Sequence, residues 1–352
     1  MKILISSPSL DSSTHVSGIS ALVKPLVETF PCFSHLHVGT SDADNNFILK
    51  IESLLKAIVT LTQYRLKHAD FIFHVNTAAN TLSLLRDSIL LIVAKLLKIK
   101  CVIHFHGGYW LTSHKSPIFI KLLVQFLCYY SDSCIVLGPE ESAILNDKFG
   151  IKRKFISLPN FAGSEFFKNP NNIEKKEFSM IFLGRLVESK SADKLPEILK
   201  EILLHQPYAH LSICGDGPLK EQLLSNLKQI PEKYWRYHGV VFGNRKRDLL
   251  LQSDVLILPS VNGEGMPIAM LEAMATGCIP IVTKLGAIPS VIRNSENGFI
   301  TPPGDIDLFI RTTIEVLGNP NKGEIRTRCH SVASTYSIEI YKKRLDIIYL
   351  SI

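Results

Sequence analysis

The chain of 352 residues is longer than one ordinary hydrophobic core and fits two domains of about 150 residues each. Its 46% apolar and 20% charged content excludes a disordered chain, and a formal net charge of +7 suits an anionic partner: a phosphorylated small molecule or an anionic membrane surface. No run of about eight residues is almost wholly basic, which argues against nucleic acid, and seven cysteines without a CxxC pair argue against zinc and for small buried hydrophobes of a reducing compartment.

In chain order, KILIS (2–6) is the first strand candidate, running into a loop without the apolar core of a signal peptide. FIFHV (71–75), CVIHFH (101–106) and SCIVLG (133–138) follow. Between them lies the most apolar window, SILLIVAKLL, broken by Lys95 and short of the ~20 residues that span a bilayer. The expectation is a cytoplasmic protein that touches the inner face of the membrane without crossing it. After residue 175 come FSMIFLG (178–184), HLSICG (210–215), VVFG (240–243), DVLILPS (254–260) and IPIVT (279–283). Helical patterns such as ISALVKPLVETF, ADKLPEILKEILL and LKEQLLSNLKQI alternate with these runs. Continuous apolar strands alternating with helices predict α/β architecture with parallel sheets covered on both faces.

A polar stretch, GSEFFKNPNNIEKKE (163–177), marks the domain boundary. The expected layout is a doubly wound domain over 1–165, joined by a C-terminal helix at about 335–352, and a second over 175–334. Ligands should lie where strand ends enter helices.

Four strand-to-helix loops carry candidate chemistry. In SSPSLDSSTHVSGIS, Gly18 stands at a helix start, where backbone N–H groups would meet a phosphate unless the glycine serves only a plain turn. In FLGRLVESK, Gly184 precedes Arg185 and Lys190, a guanidinium fork and a point charge suited to a pyrophosphate. ICGDGPLKEQL holds Gly215 and Gly217 in a tight turn that is not GxGxxG, so a nicotinamide cofactor is disfavoured and the turn itself explains them. In EGMPIAMLEAMATG, Pro267 suits the first helical position, leaving the N–H groups of Gly265, Met266 and Ile268 for a ligand. Glu264 in that loop and Glu272 on the apolar helix would reach two parts of one ligand, since a carboxylate accepts a vicinal diol. The alternatives are a helix cap for Glu264 and a buried ion pair for Glu272.

The phrase PSVNGEGMPIAMLEAMATGCIPIVTKLGAIPSVIRNSENGFITPPGD closely resembles the EX7E region of the retaining glycosyltransferases of family four, with FLGRLVESK, ICGDGP and LPN in matching order. In the N-terminal half the resemblance rests on SGIS and HFHGG. It implies the GT-B fold, two Rossmann-like domains facing across a cleft, and a metal-independent hexosyltransferase without a cofactor. The implied donor is a nucleotide sugar, UDP-linked by preference, and the implied acceptor a saccharide or lipid-linked saccharide of bacterial surface polysaccharide assembly.

On this pattern Arg185 and Lys190 hold the diphosphate, Glu272 the ribose and Glu264 the transferred sugar. The loop Gly265, Met266, Pro267, Ile268 faces sugar and phosphates, and the base lies against 240–244, with Val241 and Asn244 in contact. Gly18, Gly184 and Gly215 line the donor, and His106 is an active-site hydrogen-bonding residue, ahead of His104. Departures from the pattern are Ser191 after the phosphate lysine, Ser17 before Gly18, and Phe161 after LPN. Lysine-bearing apolar helices around IVAKLLKIK and KSPIFIKLLVQFLCYY fit two readings, peripheral contact with an anionic membrane or ordinary sheet-covering helices with solvated lysines. The competing functions are an epimerase on the same fold and a sugar-nucleotide-binding, non-catalytic subunit of an assembly complex.

Overall fold

The computed structural model describes residues 1–11, 17–39, 47–113, 115–168 and 175–352; residues 12–16 of the first expected phosphate loop and 169–174 of the expected boundary lie outside the described residues. The chain forms two compact units, Met1–Asn160 with Glu339–Ile352, and Phe161–Ile338. The division falls before 163 because Phe161, Ala162 and Phe166 are buried and Ala162 bridges Ser337 within the second unit.

The first unit has a parallel sheet of β1 (Lys2–Ser7), β2 (Phe33–His37), β3 (Phe71–Thr77), β4 (Lys100–Phe105), β5 (Ser133–Val136) and β6 (Ile156–Ser157), in the order β2-β1-β3-β4-β5-β6. Helices α1 (Gly18–Thr29), α2 (Phe47–Lys67), α3 (Thr81–Leu96), α4 (Tyr109–Thr112), α5 (Ile118–Tyr130) and α6 (Pro139–Asp147) connect its strands. β3 is buried at every position, as a central parallel strand must be. Leu4, Phe73, Val75 and Ile103 of the sheet share one core cluster with Leu61, Leu91 and Val124, so α2, α3 and α5 form one covering layer.

The second unit repeats the plan with β7 (Ser179–Leu183), β8 (His210–Cys214), β9 (Trp235–Gly239), β10 (Val255–Leu258), β11 (Ile279–Thr283) and β12 (Phe299–Thr301), ordered β12-β11-β10-β7-β8-β9. Its helices are α7 (Leu195–His205), α8 (Lys220–Leu227), α9 (Gly243–Gln252), α10 (Ile268–Ala275), α11 (Ile306–Gly318) and α12 (Lys322–Ser334); α13 (Ile338–Leu350) ends the chain. In the first unit Tyr349 of α13 packs on Phe33 and donates or accepts at His74 Nδ1, 2.6 Å away.

The strand expected at 240–243 is not one. β9 lies at Trp235–Gly239, a half-buried sheet edge, and Gly239 and Gly243 at φ +66° and +51° turn the chain from it into α9. One helix start shifts as well. Pro267 is the N-cap of α10 and accepts from Met270 N–H, so the helix begins at Ile268.

Candidate functional site

In the second sheet β7 has β8 on one side and β10 on the other, so the strand order reverses there. Loops leaving a reversal point open a crevice at the strand ends. The Arg185–Lys190 loop follows β7 and the Glu264 loop follows β10. A backbone bond joins these two loops, Val261 N–H donating to Ser189 O at 2.9 Å, and another ties the first of them to the loop after β8, Leu186 N–H donating to Asp216 O at 2.9 Å.

Glu264 is buried, and its Oε1 accepts from the Lys190 ammonium and from Ser260 Oγ at 2.7 Å. It does not cap α10. Arg185, in the turn after β7, is exposed. Glu272, in the second turn of α10, is 4% exposed and its Oε1 accepts from Lys246 Nζ at 2.6 Å. Lys246 comes from α9 and also lies over the Phe166 ring at 5.2 Å. The second oxygen of Glu272 is buried with no hydrogen-bond partner among the described residues. Asp254, at the opposite end of β10, is a useful contrast. That carboxylate is fully buried too, but Lys322, Arg326 and the Phe178 N–H occupy both its oxygens.

Close backbone approach explains the glycines. A Cβ on Gly215, at φ +143°, would stand 1.8 Å from Gly184 O, and one on Gly217 2.5 Å from Leu186 O. Gly286, at φ +48°, lies equally close, its Cβ position 2.4 Å from Gly265 O, while Ala287 N–H donates to that oxygen at 2.8 Å. Ser191 is buried in the left-handed region at φ +52°, the conformation a glycine adopts without strain. Gly18 opens α1 with open space around its Cβ position. Val241 is buried and Asn244 exposed at the start of α9. Met266 and Gly265 are buried, Pro267 and Ile268 half-buried.

The first unit gathers neutral polar groups at its own reversal point, between β1 and β3. His106 Nε2 lies 2.7 Å from Asn76 Oδ1, while Asn76 Nδ2 donates to Ser6 O at 2.8 Å. Asn76 therefore presents its carbonyl to His106, Nε2 carries the proton, and Nδ1 is left as an acceptor. Burial pushes the His106 and His74 imidazoles down to about 3, so both are neutral at pH 7. His104, pushed well below its usual range by burial and by His106 and His74, packs against His106 with tilted rings, centroids 4.0 Å apart, and lies 3.3 Å from His74. In the first turn of α6, burial raises the Glu141 carboxyl to about 8, against the opposing pull of the Leu137 and Gly107 backbone groups.

The structure thus brings Lys190 to Glu264 and surrounds Glu272 with groups that pattern reading missed. Lys246 lay in the basic run RKR, which resembles a solvated helix start. Asn76, Ser260 and Gly286 carried no signal beyond position after a strand.

Residues 163–333 match the family model of glycosyl transferases group 1. Over 242 residues, 64% of this chain, the sequence is 28% identical to UDP-Gal:alpha-D-GlcNAc-diphosphoundecaprenol alpha-1,3-galactosyltransferase of Escherichia coli, and the chain spans 62% of that protein's length. The structure is similar to that of Anabaena HepE in complex with UDP-glucose, with a TM-score of 0.78, 16% identity and both chains covered completely. Sucrose-phosphate synthase from Thermosynechococcus elongatus gives a TM-score of 0.79 at 15% identity, with 99% of this chain and 98% of that one covered. The fold is GT-B, and the sequence likenesses support a glycosyltransferase of group 1.

Proposed function

We propose that this chain is a retaining glycosyltransferase of family four, which moves a hexose from a UDP-sugar to a saccharide or lipid-linked saccharide acceptor. Bacterial surface polysaccharide assembly at the inner face of the cytoplasmic membrane is its setting. The observation that carries the reading is Glu272, a buried carboxylate with one oxygen on Lys246 and the other without a partner among the described residues. A buried charge half satisfied in this way costs several kcal/mol unless a ligand completes it. The vicinal hydroxyls of a ribose supply the missing donors. The UDP-galactose in the name of the E. coli relative supports UDP as the carrier.

Arg185 and Lys190 take the diphosphate. Lys190 uses one of its three N–H donors on Glu264, which leaves two for phosphate oxygens. As the glycosidic bond breaks, negative charge grows on the leaving diphosphate, and these cations stabilise it without requiring a metal ion. Glu264, held by Lys190 and Ser260, orients the hydroxyls of the transferred sugar. Val241 and Asn244 flank the base, and Gly18, Gly184, Gly215 and the 265–268 loop lie along the donor. His106 accepts a sugar hydroxyl at Nδ1. The bond from the anomeric carbon to the diphosphate oxygen breaks through an oxocarbenium-like state, and the acceptor hydroxyl oxygen bonds to that carbon from the face the diphosphate leaves, handing its proton to the departing diphosphate oxygen, with retention.

Glu272→Ala decides the matter. The reading expects UDP affinity and donor turnover each to fall by about a hundredfold with the fold intact. Unchanged turnover overturns it.

A further inference from the structure

The first unit carries an apolar surface that the site chemistry leaves unused. Along α3, Leu82, Leu85, Ile89, Ile92 and Leu96 are exposed at spacings of three and four, opposite the buried Leu84, Leu91 and Ala94. α2 repeats the pattern with Ile51, Leu55 and Val59 outward and Ala57 and Leu61 inward, and α5 with Phe119, Leu122 and Tyr129 outward and Ile120 and Val124 inward. α2 packs beside α3 and α3 beside α5, and all three share one core cluster, so the stripes lie side by side on one outer surface. A helix that merely covers a sheet is apolar on the core side only. Isolated exposed leucines need no explanation, whereas a contiguous patch marks an interaction site.

The charge distribution says what covers it. Residues 47–130 hold ten Lys and Arg against three Asp and Glu, which is the entire +7 excess; the rest of the chain holds 29 of each (39 less 10, 32 less 3). Of the three acids, Asp87 is buried against Arg86 and Glu52 pairs with Lys56. A second copy of the same face would bring like charge to like charge with only three acids to answer ten cations. A sheet of anionic headgroups over an apolar interior matches both halves of the pattern. Among the described residues no helix is long and apolar enough to cross a membrane, which leaves binding along the surface.

We propose that the outward face of α2, α3 and α5 docks on an anionic lipid bilayer. Its apolar stripes settle at the boundary between headgroups and acyl chains, and Lys67, Lys98, Lys115 and Lys121 reach the headgroup phosphates. The proposal deepens the membrane setting given above and rests on it only for why docking serves the reaction.

The test is co-sedimentation of the full chain with vesicles of phosphatidylcholine containing one-third phosphatidylglycerol, with UDP-induced thermal shift measured on the same preparations. The chain is expected to bind these vesicles at low salt, to lose binding as salt rises, and to bind pure phosphatidylcholine far more weakly. Leu55→Gln, Leu85→Gln and Leu122→Gln combined should weaken binding on the order of tenfold or more. Lys98→Gln and Lys121→Gln should each cost roughly fivefold. Absence of binding to anionic vesicles, equal binding to neutral ones, or undiminished binding of the leucine variant overturns the proposal, as does self-association through the same residues. In each case an intact UDP shift leaves the transferase reading standing. A lost UDP shift with vesicle binding preserved sinks that reading and leaves the docking face.

Discussion

The two units are built on one plan yet arm the same place differently. Each has a six-stranded parallel sheet, and each gathers polar groups at the carboxyl ends of the strands where the order reverses. In the second unit those groups are ion pairs, Lys190 with Glu264 and Lys246 with Glu272. In the first they are neutral: Ser6, Asn76 and three histidines that burial keeps uncharged. The backbone scaffold fixes where a ligand would sit, and the loop residues decide whether it meets charge or uncharged hydrogen-bonding groups.

The contrast breaks most sharply at the charged site. Lys190→Met should lower donor turnover by 10²–10³-fold, about the loss seen when one preorganised donor to a growing negative charge is removed. His106→Ala, on the neutral side, should cost roughly tenfold to a hundredfold, because a single neutral hydrogen bond is lost. If steady-state kinetics rank the two variants the other way, the charged and neutral sites do not divide the labour in this order.

Stability offers the next test. Lys246→Ala leaves the Glu272 carboxylate buried without its cation, which should cost about 3–5 kcal/mol in denaturant unfolding. Adding Glu272→Gln should restore most of that loss, since no buried charge then remains. Failure of the second change to rescue the first would mean that Lys246 acts through its packing on Phe166 rather than through its charge.

The first unit should instead reveal itself through pH. His74 and His106 stay neutral when folded down to about 3, while in the unfolded chain they take up protons below about 6.5. Their contribution is therefore present above about 6.5 and lost as the pH falls toward 3, about 2 kcal/mol each at pH 5. Glu141 acts in the opposite sense. The folded protein holds its proton up to about 8 and the unfolded chain only to about 4.5, so stability falls as pH rises through that window. Melting curves of Glu141→Gln between pH 5 and 8 should be flatter than those of the parent chain by ~3 kcal/mol. Parallel curves would remove Glu141 from the account.

Legibility followed the same division. The eight strands with two neighbours each were visible as continuous apolar runs because burial on both faces demands them. β2, β6, β9 and β12 were missed or misplaced, and all four are sheet edges. Half-exposed strands such as WRYHG need no apolar run, and two-residue β6 leaves none to see. At the sites, glutamates in an apolar helix and cations after a strand stood out because charge is anomalous there. Asn76 and Ser260 did not, since neutral polar residues near strand ends are common, and their importance lies in partners distant in sequence. Lys246 was hidden for another reason: a basic run entering a helix has the composition of a solvated surface, and only the fold lays it against Glu272.

The smallest effect concerns a single backbone angle. Ser191 follows Lys190, the lysine proposed to take the diphosphate, at φ +52°, where a side chain costs about 1 kcal/mol relative to glycine. Glycine in turn loses more freedom on folding, which offsets about half of that. Ser191→Gly should therefore stabilise the chain by no more than about 0.5 kcal/mol while leaving UDP affinity unchanged, because the Ser189 and Lys190 contacts to the Glu264 loop do not involve the serine side chain. A fall in UDP affinity would show instead that the Ser191 hydroxyl reaches the donor. That outcome would add a neutral group to a site otherwise armed with charge, and it would narrow the contrast between the two units.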